Sequence, residues 1–136
     1  MHFNPNIARE TIMNHYLKPK NKTKLDTSNV FYSTSCSDKL LVDLKWDQNI
    51  LIDASFDGLG CAPFLAGTDM FLDAVKGKTK EQINLLVDIF TKFVNGENIS
   101  DEHMDLLGDL WVFYNIKSQP NRIHCTLMIT KAFKDV

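Results

Sequence analysis

Three cysteines, Cys36, Cys61 and Cys125, and one aspartate, Asp38, are the residues whose types could do chemistry together. Cys36 and Asp38 stand in the stretch Ser-Thr-Ser-Cys-Ser-Asp-Lys. On extended backbone, residues i and i+2 point to the same side, so a thiolate and a carboxylate there can face one metal ion. Three thiolates and a carboxylate make a tetrahedral donor set acceptable to zinc, and three thiolates suit an iron–sulfur cluster. The carboxylate is the informative member. Purely structural zinc sites draw on thiolate and imidazole, whereas one hard oxygen beside three soft sulfurs suits a site that exchanges a ligand. The cysteines lie 25 and 64 residues apart with no Cys-x-x-Cys pair, so spacing alone leaves a second reading open. In that reading Cys36-x-Asp38 is an ordinary turn and the cysteines are unrelated small apolar residues. An odd number of cysteines cannot all pair within one chain.

Each cysteine falls at an expected element boundary. Cys61 follows Gly58-Leu59-Gly60 and opens a helical pattern, where free N–H groups and the positive dipole end favour a thiolate. Cys125 is expected near the start of the last helix, just after Pro120, in a similar setting. His124 beside it is a possible fifth ligand. Successive helical residues point about 100° apart, so both reach one metal only at an irregular helix start; otherwise His124 is an accessory or solvent-facing residue. His2, His15 and His103 have no cysteine nearby in sequence. Other constellations are weak. No Gly-x-Ser-x-Gly corner surrounds Ser33, Ser35 or Ser37, and Gly58-x-Gly60 lacks the third glycine of a dinucleotide fingerprint.

The elements that must position these residues begin with a loose helical stripe, Ile7, Ile12, Met13 and Tyr16, stopped by Pro19. Residues 18–24, Lys-Pro-Lys-Asn-Lys-Thr-Lys, read as an exposed, mobile loop that buries nothing; its lysines could meet an acidic partner. Leu40, Val42, Leu44 and Trp46 share one face of a strand. Ile50, Ile52, Ala54 and Phe56 share one face of the next, across an Asp47-Gln48-Asn49 turn. Val30-Phe31-Tyr32 offers a third strand. Helical periodicity follows over Phe64–Val75 and Ile83–Val94, then from a Ser100 cap with Asp101 and Glu102 in its first turn. Met104, Leu107, Leu110, Trp111 and Tyr114 mark that third region, and a last helix runs from about Asn121 to Lys134. Strands first and helices after predict an α+β fold, a small three-stranded antiparallel sheet with helices packed on one face.

The 136 residues suffice for one domain with a real core, here taken as residues 1–136. A formal charge of −2 and no interleaving of basic with aromatic residues argue against nucleic acid as a partner. No apolar run approaches the ~18 residues of a membrane span, and the N-terminal residues lack a signal-peptide layout, so a cytoplasmic location is expected.

Five ordered blocks resemble the U-type iron–sulfur cluster assembly proteins, the family of the IscU, SufU and N-terminal NifU branches. They are Met-Asn-His-Tyr-Leu-Lys-Pro-Lys-Asn from Met13, Cys-Ser-Asp-Lys from Cys36, Phe-Asp-Gly-Leu-Gly-Cys-Ala from Phe56, Ala-Val-Lys-Gly-Lys-Thr from Ala74, and Pro-Asn-Arg-Ile-His-Cys-Thr-Leu from Pro120. The resemblance implies the family's α+β scaffold and a site of Cys36, Asp38, Cys61 and Cys125 binding zinc or a transient [2Fe-2S] cluster. It also implies partnership with a cysteine desulfurase of the SufS or IscS kind and with apo iron–sulfur proteins. Residues from about 99 to 114 resemble the helical insertion of the SufU branch, and Arg122 is similar to that branch too. "SQPNR" stands where IscU proteins carry a chaperone-binding stretch, while His124 resembles the IscU-type His-Cys pair. Ser37 replaces the usual glycine. SufU-like membership implies a zinc-dependent sulfurtransferase activity in which Cys36 leaves the metal to accept persulfide sulfur. IscU-like membership implies a non-enzymatic scaffold for a transient cluster. A structural zinc interaction module is the third reading.

Overall fold

The computed structural model describes residues 3–33, 37–134 and 136. Three strands, β1 (Val30–Tyr32), β2 (Lys39–Asp47) and β3 (Ile50–Leu59), form one antiparallel sheet in the order β1-β2-β3. Among the described residues, five α-helices accompany it: α1 (Pro5–Leu17), α2 (Ala62–Val75), α3 (Lys80–Val94), α4 (Asp101–Leu107) and α5 (Pro120–Thr126). The fold class expected from the order of strands and helices is the one observed.

The hairpin turns at Gln48, whose φ of 54° is left-handed. Leu40 and Val42 of β2 and Ala54 and Phe56 of β3 are buried as the alternation predicts. The start of β3 departs from it. Pairing runs Lys45 with Asp53 and then Trp46 with Leu51, which leaves Ile52 as an extra residue in a β-bulge. The bulge shifts the phase by one residue. Leu51 therefore enters the core at 0% exposure, while Ile50 and Ile52 face outward at 43% and 57%.

Among the helices, α2 is the central one, buried over most of its length from Phe64 to Val75. Cys61 is its N-cap residue and Pro63 lies in its first turn, where a missing N–H costs nothing. Helix α3 starts with a reciprocal capping box between Thr79 and Gln82 and buries Ile83, Leu86, Ile89, Phe90, Phe93 and Val94. Ser100 caps α4 by accepting the N–H of His103, as its sequence predicts. The third helical region is shorter than expected, because Gly108 ends α4 at a φ of 52° and a 3-10 turn over Gly108–Phe113 follows. The last region is likewise split, α5 giving way to a 3-10 turn over Met128–Phe133. In α1 the stripe is displaced: Ala8 is the buried residue, and Ile7 and Met13 are exposed.

The lysine-rich stretch is not a free loop. Thr23 donates to the Phe56 carbonyl at 2.8 Å and Phe56 donates to the Asn21 carbonyl at 2.9 Å, so the strand edge of β3 is covered. Lys20 pairs with Asp73 and Lys22 with Asp57, and Asn21 is buried. Alternating lysines marked the outer side of this strap and hid its inner one. Phe71 stacks on Phe90 at 5.6 Å between ring centres, and Phe90 meets Phe113 edge-on at 6.0 Å, giving a core continuous from the sheet to the last turn.

Candidate metal site

The site is built at the corner where β3 becomes α2. Register pairs Lys39 with Leu59, so the residues beyond them, Asp38 and Gly60, meet at the sheet's end. Asp38 is buried at 4% exposure. Its Oδ1 accepts the Cys61 N–H at 3.2 Å, and its Oδ2 lies 4.0 Å from Cys61 Sγ. The two glycines of the corner make this approach feasible. A Cβ on Gly60 would run into the Asp38 carboxylate and the Phe64 ring, and one on Gly58 into the Lys39 carbonyl.

Cys125 arrives on α5. That helix lies close against α2, since a Cβ on Gly67 would stand 3.1 Å from the Thr126 carbonyl. Cys125 is fully buried, and its thiol donates to the Asn121 carbonyl at 3.4 Å. Its place in the helix differs from expectation: it is the penultimate residue of α5, not near its start, because Pro120 opens the helix instead of merely ending the previous one. The helix N-terminus expected around Cys125 is therefore not where Cys125 sits. A carboxylate oxygen of Asp38 and the sulfurs of Cys61 and Cys125 all lie within 4.8 Å of one another. Cys36 lies outside the described residues. His124 is exposed and outside this cluster; it lines a groove of about 410 Å³ with Ser33, Lys131 and Lys134. Arg122 is half-buried one turn before Cys125, its carbonyl accepting the Thr126 hydroxyl at 2.8 Å.

The donor chemistry fits a zinc ion: two thiols and a carboxylate converge from three elements, with Cys36 two residues from Asp38 in sequence. A second convergence, His15, Asp69 and Asp73, joins α1 to α2. Asp69 is fully buried, and both its oxygens already accept hydrogen bonds from Asn21 and His15. His15 and Asn21 both stand in the sequence block that begins at Met13, with nothing beside them in sequence to mark a role. The signal available was Asp69 itself, a charged residue amid the apolar run of α2.

A mixed α+β scaffold presenting clustered thiols and a carboxylate at one end of a short sheet defines the class. Residues 7–133 match the family described as NifU-like N terminal domain, and the chain belongs to that family. It is 34% identical to the zinc-dependent sulfurtransferase SufU of Bacillus subtilis (strain 168), over 98% of this chain and 93% of the relative. It is 30% identical to the iron–sulfur cluster assembly scaffold protein IscU of Streptococcus pyogenes serotype M1, over 91% and 78%. Among solved structures, one assigned as the iron–sulfur cluster assembly scaffold protein for the SUF system of Fervidobacterium islandicum AW-1 superposes with a TM-score of 0.81. The identity is 26%, and 92% of each chain is covered. No described helix is long and apolar enough to cross a membrane.

Proposed function

We propose that this chain is an iron–sulfur cluster assembly protein of the SufU type, a cytoplasmic zinc-dependent acceptor of persulfide sulfur from a cysteine desulfurase. The observation that carries the reading is the convergence of Asp38, Cys61 and Cys125 at one corner. The identity to a zinc-dependent sulfurtransferase over nearly the full length of both chains supports it. The helical stretch from about 99 to 114 is taken as the insertion of that branch. Cys36, Asp38, Cys61 and Cys125 are the four residues that would hold the metal. Bound there, zinc would supply positive charge that keeps cysteine sulfurs as thiolates at neutral pH.

Cys36 is the acceptor. Its thiolate attacks the terminal sulfur of the donor's persulfide; a new S–S bond forms on Cys36, the donor's S–S bond breaks, and the donor cysteine leaves as thiolate. Asp38 holds the corner for this by accepting the Cys61 N–H. The sulfur then passes toward apo iron–sulfur proteins. Metal analysis of protein from its native host, with a desulfurase stimulation assay, tests the reading. Stoichiometric zinc and loss of stimulation in Cys36→Ala are expected. An iron–sulfur chromophore without zinc sinks it in favour of a second reading, a scaffold for a transient [2Fe-2S] cluster. The IscU relatives' description as assembly scaffolds favours that alternative.

A further inference from the structure

A buried polar cluster centred on Asp69 ties α1, α2 and β3 together. Asn21 is 5% exposed and spends its polar groups on two different elements. Its carbonyl accepts the N–H of Phe56 on β3 at 2.9 Å. Its own N–H donates to Asp69 Oδ1 on α2 at 2.8 Å. Its side-chain amide donates to Asp69 Oδ1, to the Asp69 carbonyl and to Asp73 Oδ1, each at 3.0 Å. Its Oδ1 accepts from the Lys76 ammonium. From the other side, His15 Nδ1 donates to Asp69 Oδ2 at 2.6 Å, tying α1 to the same carboxylate.

Phe56 stands five residues before Cys61 and Asp69 eight residues after it. Asn21 thus links β3 to α2, the two arms that meet next to Cys61. Both arms lead to the site. Strand β3 sets Asp38 through the pairing of Lys39 with Leu59. Helix α2 carries Cys61 as its N-cap and seats α5, hence Cys125, through the contact of Gly67 with Thr126. An angular change at the corner moves the two sulfurs relative to the carboxylate. A buried carboxylate resists such a change strongly, because losing any of its donors leaves charge unsatisfied in a low-dielectric interior.

We propose that Asn21, acting through Asp69 and steadied by His15, is a positioning residue: a brace that fixes the sulfurs of Cys61 and Cys125 against Asp38 at metal-binding distance. The inference rests on the metal-site reading above and assigns the brace no contact with the metal.

Co²⁺ titration of the full chain tests it, read by visible absorption and dissociation constant beside far-UV circular dichroism and thermal melting. Asn21→Ala and Asp69→Ala are expected to weaken Co²⁺ binding about tenfold or more, the size of effect seen for residues that orient metal ligands. They should also alter the ligand-field bands. Asp69→Asn keeps an oxygen acceptor for Asn21 but loses the charge and the second acceptor that faces His15, and is expected to bind Co²⁺ more weakly than wild type and more tightly than Asp69→Ala. Ile83→Ala, a core truncation on α3, should lower the melting temperature and leave the spectrum and affinity alone. Folded Asn21→Ala and Asp69→Ala proteins with wild-type affinity and spectrum overturn the brace. If neither folds, His15→Ala against His15→Asn decides by the same criteria, because the asparagine amide can replace the Nδ1 donor. Wild-type protein that binds Co²⁺ through thiolates yet accepts no sulfur sinks the sulfur-acceptor reading and leaves the brace standing. Wild-type protein that does not bind Co²⁺ overturns both.

Discussion

At the scale of single residues, the compactness of the site turns on Gly60. It sits where the Asp38 carboxylate and the Phe64 ring close over the backbone, and a methyl group there has nowhere to go. Phe64 is fully buried and cannot yield, so Asp38 must move away and surrender the Cys61 N–H. Gly60→Ala is expected to lower zinc affinity at least tenfold in a competition titration with a chromophoric chelator, an effect in the range for displaced ligand support. Unchanged affinity would show that Asp38 is not needed at its observed position. Residue types made Asp38, Cys61 and Cys125 legible as candidates, because few side chains bind soft metals. Gly60 was legible only as part of a turn, since its task is to be absent from space that two distant residues fill. Asn21 was hidden for a related reason. One polar residue among lysines looks solvated until Asp69, nearly fifty residues later, is brought against it.

At the scale of elements, β3 separates what period-two alternation can and cannot say. Alternation found the strand and its pairing partner, and Ala54 and Phe56 point inward as expected. It could not see the bulge, because Ile50, Leu51 and Ile52 are all apolar and either phase reads well. The bulged register makes a sharp contrast. Leu51→Ala should cost about 2–5 kcal/mol in denaturant unfolding, as for a buried leucine, whereas Ile52→Ser should stay within about 0.5 kcal/mol. The reverse order would restore the unbulged register. The strap on the opposite side of β3 has its own signature in acid. Burial raises the Asp57 carboxyl pKa, but hydrogen bonds from the backbone of Gly58 and Leu25, with Lys22 beside them, outweigh it and hold it below the ordinary value. A carboxyl depressed in the folded state adds stability above its unfolded pKa and loses it as pH falls through the folded one. Melting temperature measured downward from pH 5 should therefore fall less steeply in Asp57→Asn than in wild type; equal slopes would remove Asp57 from the account.

At the scale of the whole molecule, the question is whether a bound metal would hold the fold or the fold would hold the metal. The core runs from Leu40 and Val42 in the sheet through Phe64, Phe71 and Phe90 to Phe113 and Phe133, all essentially without exposure. Asp38, Cys61 and Cys125 sit at one end of it, on elements that are already paired or packed: β2 and β3 by their ladder, α2 by burial along its length. Small zinc modules unfold without metal because their cores cannot carry the chain's conformational entropy. Here burial of this extent in 136 residues does not need that help. Chelation should therefore leave the far-UV circular dichroism spectrum and a cooperative unfolding transition intact. It should still lower the melting temperature, since a ligand at a thousand times its dissociation constant stabilises the native state by about 4 kcal/mol, equivalent to roughly 10–20 °C for a chain of this size. A chelated chain that lost its helical signal would instead make the metal part of the fold, and would move the protein from sulfur acceptor to structural zinc module.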